Sequence, residues 1–135
     1  MNVIVCIDDR SGMLFNHRRQ SQDRVLRQRL LAMTEGRPLC MNPYSAKQFS
    51  KEDPASISVS PEFLENASGE DYCFVEERSL LPFQDRIQRL ILCRWNRAYP
   101  GDFFLDLPLD AFHLVSAEEF PGSSHEKITM EVYEK

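Results

Sequence analysis

Short apolar runs alternate with segments of helical spacing along the chain. Val3-Ile4-Val5-Cys6-Ile7 is continuous, apolar and β-branched, the pattern of a strand covered on both faces. Asp8-Asp9-Arg10-Ser11-Gly12 breaks it into a loop. From Ser21 the spacing predicts a helix: Ser21 is a candidate N-cap, Asp23 falls in the first turn, and Leu26, Leu30 and Met33 recur at i, i+4 and i+7. Gly36-Arg37-Pro38 stops it. Leu39-Cys40-Met41, Ile57-Ser58-Val59, Tyr72-Cys73-Phe74-Val75 and Leu90 to Trp95 read as further short strands. Between them lie a helical turn opened by Pro43, a helix opened by Pro61 and a helix capped by Ser79 with Leu80, Phe83 and Ile87 on one face. The tail changes character. Phe112-His113-Leu114-Val115 and the alternating Lys127 to Tyr133 predict two antiparallel strands, because alternation implies one solvated face. The order gives an α/β fold, a single domain over residues 1–135, with a mostly parallel central sheet, antiparallel C-terminal edge strands and flanking helices.

Composition narrows the function classes. The 135 residues are 42% hydrophobic and 27% charged, an ordinary globular balance. No apolar run approaches the ~18 residues of a membrane span, and carboxylates at Asp8 and Asp9 come too early for a signal peptide. A cytoplasmic location without membrane attachment is the expectation. Sixteen basic against twenty-one acidic residues leave a net charge of -5, so nucleic acid is not an expected partner. Cys6, Cys40, Cys73 and Cys93 lie far apart in apolar surroundings, with no Cys-x-x-Cys pair to hold zinc, and read as small core residues. The three histidines, His17, His113 and His125, are equally dispersed, so no metal is expected. A dinuclear metallo-hydrolase of the ribonuclease Z type, which needs a dense histidine cluster, has no support.

One cluster stands out in this acidic chain. Asn16-His17-Arg18-Arg19-Gln20-Ser21 leads into the helix start at Asp23 and Arg24, with Arg27 and Arg29 following. Guanidinium groups beside helix N–H donors suit an anion, so a small anionic molecule or an acidic protein surface is the expected partner. A solvated helix face paired with Glu35, Glu76 and Glu77 explains the same charges. Ser123-Ser124-His125 reads as a turn held by serine hydroxyls, since adjacency alone does not pair a nucleophile with a base.

Several signposts occur in a familiar order. Gly12-Met13 after the first strand, Arg37-Pro38-Leu39-Cys40-Met41-Asn42, Phe83 to Leu90, Gly101-Asp102, Ser123-Ser124-His125 and Met130 to Glu134 are colinear with segments of the dihydrofolate reductase family, which the chain resembles over most of its length. The resemblance implies a dihydrofolate reductase-like fold. It also sets Asp23 within a residue of the family's buried carboxylate, as a candidate catalytic acid, and Cys93 where the family has a threonine bracing that carboxylate. A first-turn acid complementing the helix dipole explains Asp23 equally well.

The departures bear on function. Where the family has two glycines that admit the cofactor's diphosphate, this chain has Glu76 and Glu77 in Val75-Glu76-Glu77-Arg78-Ser79. Asn42-Pro43-Tyr44-Ser45 replaces a second phosphate-binding signature, and the segment from Phe49 to Ile57 is short. The family's loop tryptophan gives way to part of Arg18-Arg19-Gln20. These changes imply no cofactor and no standard NADPH-dependent activity. The ligand site expected instead comprises Asn16, His17, Arg18, Arg19, Gln20, Ser21 and Cys93. The alternatives are a divergent reductase using NADPH on a pterin-like substrate, and a partner-binding module, including a homodimer.

Overall fold

The computed structural model describes residues 1–135. In chain order its strands are β1 (Asn2–Ile7), β2 (Gly12–Phe15), β3 (Arg18–Arg19), β4 (Leu39–Met41), β5 (Ile57–Val59), β6 (Tyr72–Phe74), β7 (Arg89–Arg94), β8 (Phe103–Phe104), β9 (His113–Phe120) and β10 (Ile128–Glu134). The α-helices are α1 (Arg24–Met33), α2 (Pro43–Ala46) and α3 (Phe63–Asn66). Seven strands form one sheet in the order β5-β4-β6-β1-β7-β10-β9; β3, β2 and β8 form a small second sheet. The five strands from β5 to β7 run parallel, and β10 joins β7 antiparallel. This is the mostly parallel α/β sheet with an antiparallel edge that the sequence pattern predicts.

The continuous apolar runs become central strands because both faces are covered. Val3, Val5 and Ile7 of β1 join Leu90 and Leu92 of β7 in one core, while Ile4 joins Ile91 and Cys93 in the other. The period-2 geometry of a strand thus divides one run between two cores. Leu26 and Leu30 of α1 seal the second core, one helical turn apart.

Three local expectations change. The cap of α1 is Asp23, not Ser21: Asp23 is extended (φ -151, ψ 127) and its carboxylate accepts the Leu26 N–H. Ser21 is held elsewhere, by His125. The segment after Ser79 is a 3-10 helix over Leu81–Arg86 that Ser79 does not cap. The Gln88 N–H already bonds the Met1 carbonyl at 3.0 Å, and Ile87 is extended, so too few residues remain for full α-helical turns. The loop after β1 is brief and passes straight into a β2–β3 hairpin. Phe15 pairs with Arg18, leaving the two-residue turn Asn16-His17 with φ of 51 and 63. Positive φ at both positions is the type I′ turn that matches strand twist, and Asn16 tolerates it well.

Candidate functional site

The start of α1 meets the β9–β10 loop in a buried polar cluster. Asp23 and His125 are almost wholly buried, and Asp23 Oδ2 lies 3.0 Å from His125 Nδ1. The same carboxylate accepts the N–H groups of Leu26, Ser123 and Ser124 at 3.1, 3.1 and 2.8 Å. Burial alone would raise its pKa; the His125 hydrogen bond and the three backbone donors overcome this and hold it far below the usual carboxylate range. On the other side of the ring, His125 Nε2 lies 3.0 Å from Ser21 Oγ and 3.1 Å from the Tyr99 hydroxyl. Trp95 stacks on the imidazole at 4.5 Å between centroids. Gly122 turns the loop against Asp23: a Cβ there would press into the carboxylate and into Ile128. Ser21, His125 and Asp23 thus form one continuous hydrogen-bonded chain.

A second polar cluster sits where β3 meets the end of β6. Arg19 donates to Glu76 through Nε at 2.9 Å and Nη2 at 3.1 Å, a bidentate pair. Its guanidinium lies 4.4 Å from the centroid of the Tyr44 ring. Glu76 is buried and also accepts from Ser45 Oγ at 2.8 Å. Glu77 accepts from the Asn42 side chain. Both acids are thus engaged by neighbouring side chains, and the α2 segment supplies part of the clamp.

Between these clusters lies a cavity of about 10 Å³, room for one water. Ser21, Asp23, Glu76 and Trp95 are on its walls. Arg27 and Gln48 line it too, and Arg27 Nε and Gln48 Nε2 are buried without hydrogen-bond partners. Arg27 and Gln48 also line a larger open groove of about 430 Å³ with Arg24, Lys47, Lys51 and Ser123. None of its four cations makes an ion pair, and Glu52 is its one carboxylate. No three His, Cys, Asp or Glu side chains converge as a metal-binding group.

No protein-family profile matches the chain, and no curated protein is similar to it in sequence. Its backbone does have counterparts among solved structures. Dihydrofolate reductase from Enterococcus faecalis, complexed with NADP(H) and RAB-propyl, matches it with a TM-score of 0.69 at 11% identity, over 98% of this chain and 94% of that one. The fold is that of dihydrofolate reductase.

On this dihydrofolate reductase fold, the residues that the sequence singled out are divided: Asn16, Arg18, Arg19 and Gln20 line one open pocket of about 370 Å³ with Tyr99 and Pro100, while Ser21 and Asp23 line the small cavity. Asn16, His17 and Arg18 are exposed on the hairpin, where the Asn16 N–H is held by Asp102. Arg19 is bound to Glu76 and Tyr44. Gln20 turns towards Asp8 and the Pro100 carbonyl at the junction of the two sheets. Ser21 and Asp23 meet at His125. Cys93 is buried in β7 beside Cys6 of β1 and makes no hydrogen bond to Asp23. His125, Tyr99, Gln48, Lys47 and Lys51 join the site without having been selected for it. His125 carries a weak signal in the sequence, a lone histidine after Gly-Ser-Ser, but its partner lies 102 residues away. The membrane expectation meets one structural fact: no helix is long and apolar enough to cross a bilayer.

Proposed function

We propose that this chain is a dihydrofolate reductase-fold protein that binds a small anionic ligand and does not carry out NADPH-dependent hydride transfer. The observation that carries this reading is the groove beside α1, where Arg24, Arg27, Lys47 and Lys51 face solvent-filled space without a balancing ion pair in a protein of net charge -5. Local cation density of this kind raises the concentration of anions against the overall field. Its concave form and volume of about 430 Å³ suit a small molecule better than a flat acidic protein surface. We favour the helix start over the Arg18-Arg19 hairpin as the anion site because Glu76 neutralises Arg19, whereas four cations without ion pairs line the groove beside α1. Phosphate or carboxylate groups are the chemistry that guanidinium and ammonium donors recognise.

Three features support the absence of hydride chemistry. Glu76 and Glu77 place two carboxylates where a diphosphate would lie in the resemblance, and Arg19 and Ser45 fix Glu76 there. The Asp23 carboxylate is saturated by four donors and is poorly placed to pass a proton to a pterin ring. The remaining cavity holds about one water, far less than a pterin needs.

The test is calorimetric titration with inorganic pyrophosphate at low salt. Binding is expected, weakening at least tenfold in a Lys47→Ala/Lys51→Ala double variant and falling as ionic strength rises. Equal affinity in both proteins, or no heat at millimolar pyrophosphate, overturns the reading.

A further inference from the structure

The Ser21–His125–Asp23 cluster has a geometry beyond what is needed to pin a loop to a helix. A structural serine could bond any backbone group nearby. Here Ser21 Oγ instead sits 3.0 Å from the one imidazole nitrogen left free by Asp23. Asp23 on Nδ1 fixes the ring and, with a proton on that nitrogen, leaves the Nε2 lone pair facing the hydroxyl. Ser21 is half-buried and lines the small cavity, while His125 is shielded beneath Trp95. The small cavity touching Ser21 adds the remaining component. Its two unpartnered buried groups, Arg27 Nε and Gln48 Nε2, are both hydrogen-bond donors. Buried donor side chains on the wall of a cavity the size of one oxygen-bearing group, which Ser21 also lines, suit a developing oxyanion. The same two side chains form the wall shared with the cationic groove.

We infer that Ser21 is the nucleophile of an ester-hydrolysing site, with His125 as general base, Asp23 as its positioning residue, and Arg27 with Gln48 receiving the oxyanion. The substrate class is a carboxylic ester whose acyl part carries an anionic group. That anionic preference rests on the groove reading above; the nucleophile does not. In the first half, His125 Nε2 takes the Ser21 proton as Oγ bonds the carbonyl carbon. The tetrahedral adduct collapses, the C–O bond to the alcohol breaks, and His125 returns the proton to the departing oxygen. In the second half, His125 takes a proton from water, the hydroxide adds to the acyl carbon, and the Oγ–C bond breaks. Ser21 recovers its proton, the carboxylic acid ionises to solvent, and no oxidant or reductant enters. Tyr99 competes for the same lone pair, since its hydroxyl is 3.1 Å from Nε2.

The experiment is labelling of the full chain with a neutral alkyl fluorophosphonate, read by peptide mass spectrometry. The expected adduct is on Ser21 and is absent in Ser21→Ala. Its rate is expected to fall at least 100-fold in His125→Gln and to rise severalfold in Tyr99→Phe, which removes the competing hydroxyl. No adduct on Ser21 in the wild-type chain overturns the proposal whatever the variants do. So does a folded His125→Gln protein that labels at the wild-type rate. Turnover of mono-4-nitrophenyl succinate against neutral 4-nitrophenyl butyrate separates the two readings. Lys47→Ala/Lys51→Ala is expected to reduce the charged ester's kcat/KM about tenfold more than the neutral one's. Labelling of Ser21 without that discrimination sinks the anion groove and leaves the nucleophile standing.

Discussion

Asp23 ties the start of α1 to the β9–β10 loop. It ends the extended segment before α1, accepts the Leu26 N–H, gathers the Ser123 and Ser124 N–H groups and holds His125. A carboxylate so placed contributes stability through its lowered pKa, and the direction of the pH effect follows. In the unfolded chain its pKa is about 3.9. The contribution is therefore fully present above that value and is lost as pH falls towards the depressed folded value. Urea unfolding of wild type and Asp23→Asn from pH 6 to pH 2 measures this. Wild type is expected to be more stable by about 3 kcal/mol at pH 6, the scale for breaking one partner of a buried pair. The gap is expected to narrow steadily below about pH 4. A gap that stays constant across this range would show that the carboxylate's charge is not what Asp23 contributes. Gly122 belongs to the same arrangement, since only a residue without a side chain lets the loop pass so close to Asp23.

At the scale of elements, β3 and the α2 segment are short pieces made useful by one ion pair. Two residues of β3 and four of α2 cannot hold their positions by backbone hydrogen bonds alone. Arg19 and Glu76 tie β3 to the end of β6, and Ser45 and Tyr44 bring α2 into the clamp. With side chains only 18% and 8% exposed, the pair is shielded enough to matter. A double-mutant cycle on Arg19→Ala and Glu76→Ala, read by chemical denaturation, is expected to give a coupling energy of about 2 kcal/mol. Additive single losses would show that the two residues stabilise their elements separately. The strands were legible in the sequence because Val3 to Ile7 and Leu90 to Trp95 are apolar runs that only a doubly covered sheet uses. The hairpin was not, since Asn16-His17 lacks the glycine that advertises positive φ. The 3-10 helix was missed because Leu80, Phe83 and Ile87 fit α spacing while the chain length before β7 does not. The site was half legible. Charge density before α1 drew attention to this end of the molecule, but the partnerships of Arg19 with Glu76 and Asp23 with His125 span 57 and 102 residues. Local pattern carries no record of pairings at that distance.

The whole molecule keeps the backbone of a dihydrofolate reductase while its own side chains occupy the space between the central strands and α1. Glu76 is neutralised from within by Arg19, and Asn42 holds Glu77. Asp23 is engaged by His125 and three N–H groups, and the cavity beside it is only about 10 Å³. The open, cationic groove lies outside this filled centre. If Glu76 and Glu77 exclude a dinucleotide, as proposed, this chain answers differently to NADPH than a reductase does. A ligand present at 100 times its Kd stabilises a protein by about 2.7 kcal/mol, a shift of several degrees for a domain of this size. Thermal unfolding with and without about 1 mM NADPH is the direct measurement, because a reductase with a Kd near 10 μM would reach that ratio. Exclusion of the dinucleotide predicts a midpoint unchanged to within about 1 °C. A rise of several degrees would mean that the dinucleotide is accommodated across Glu76 and Glu77, and would contradict it.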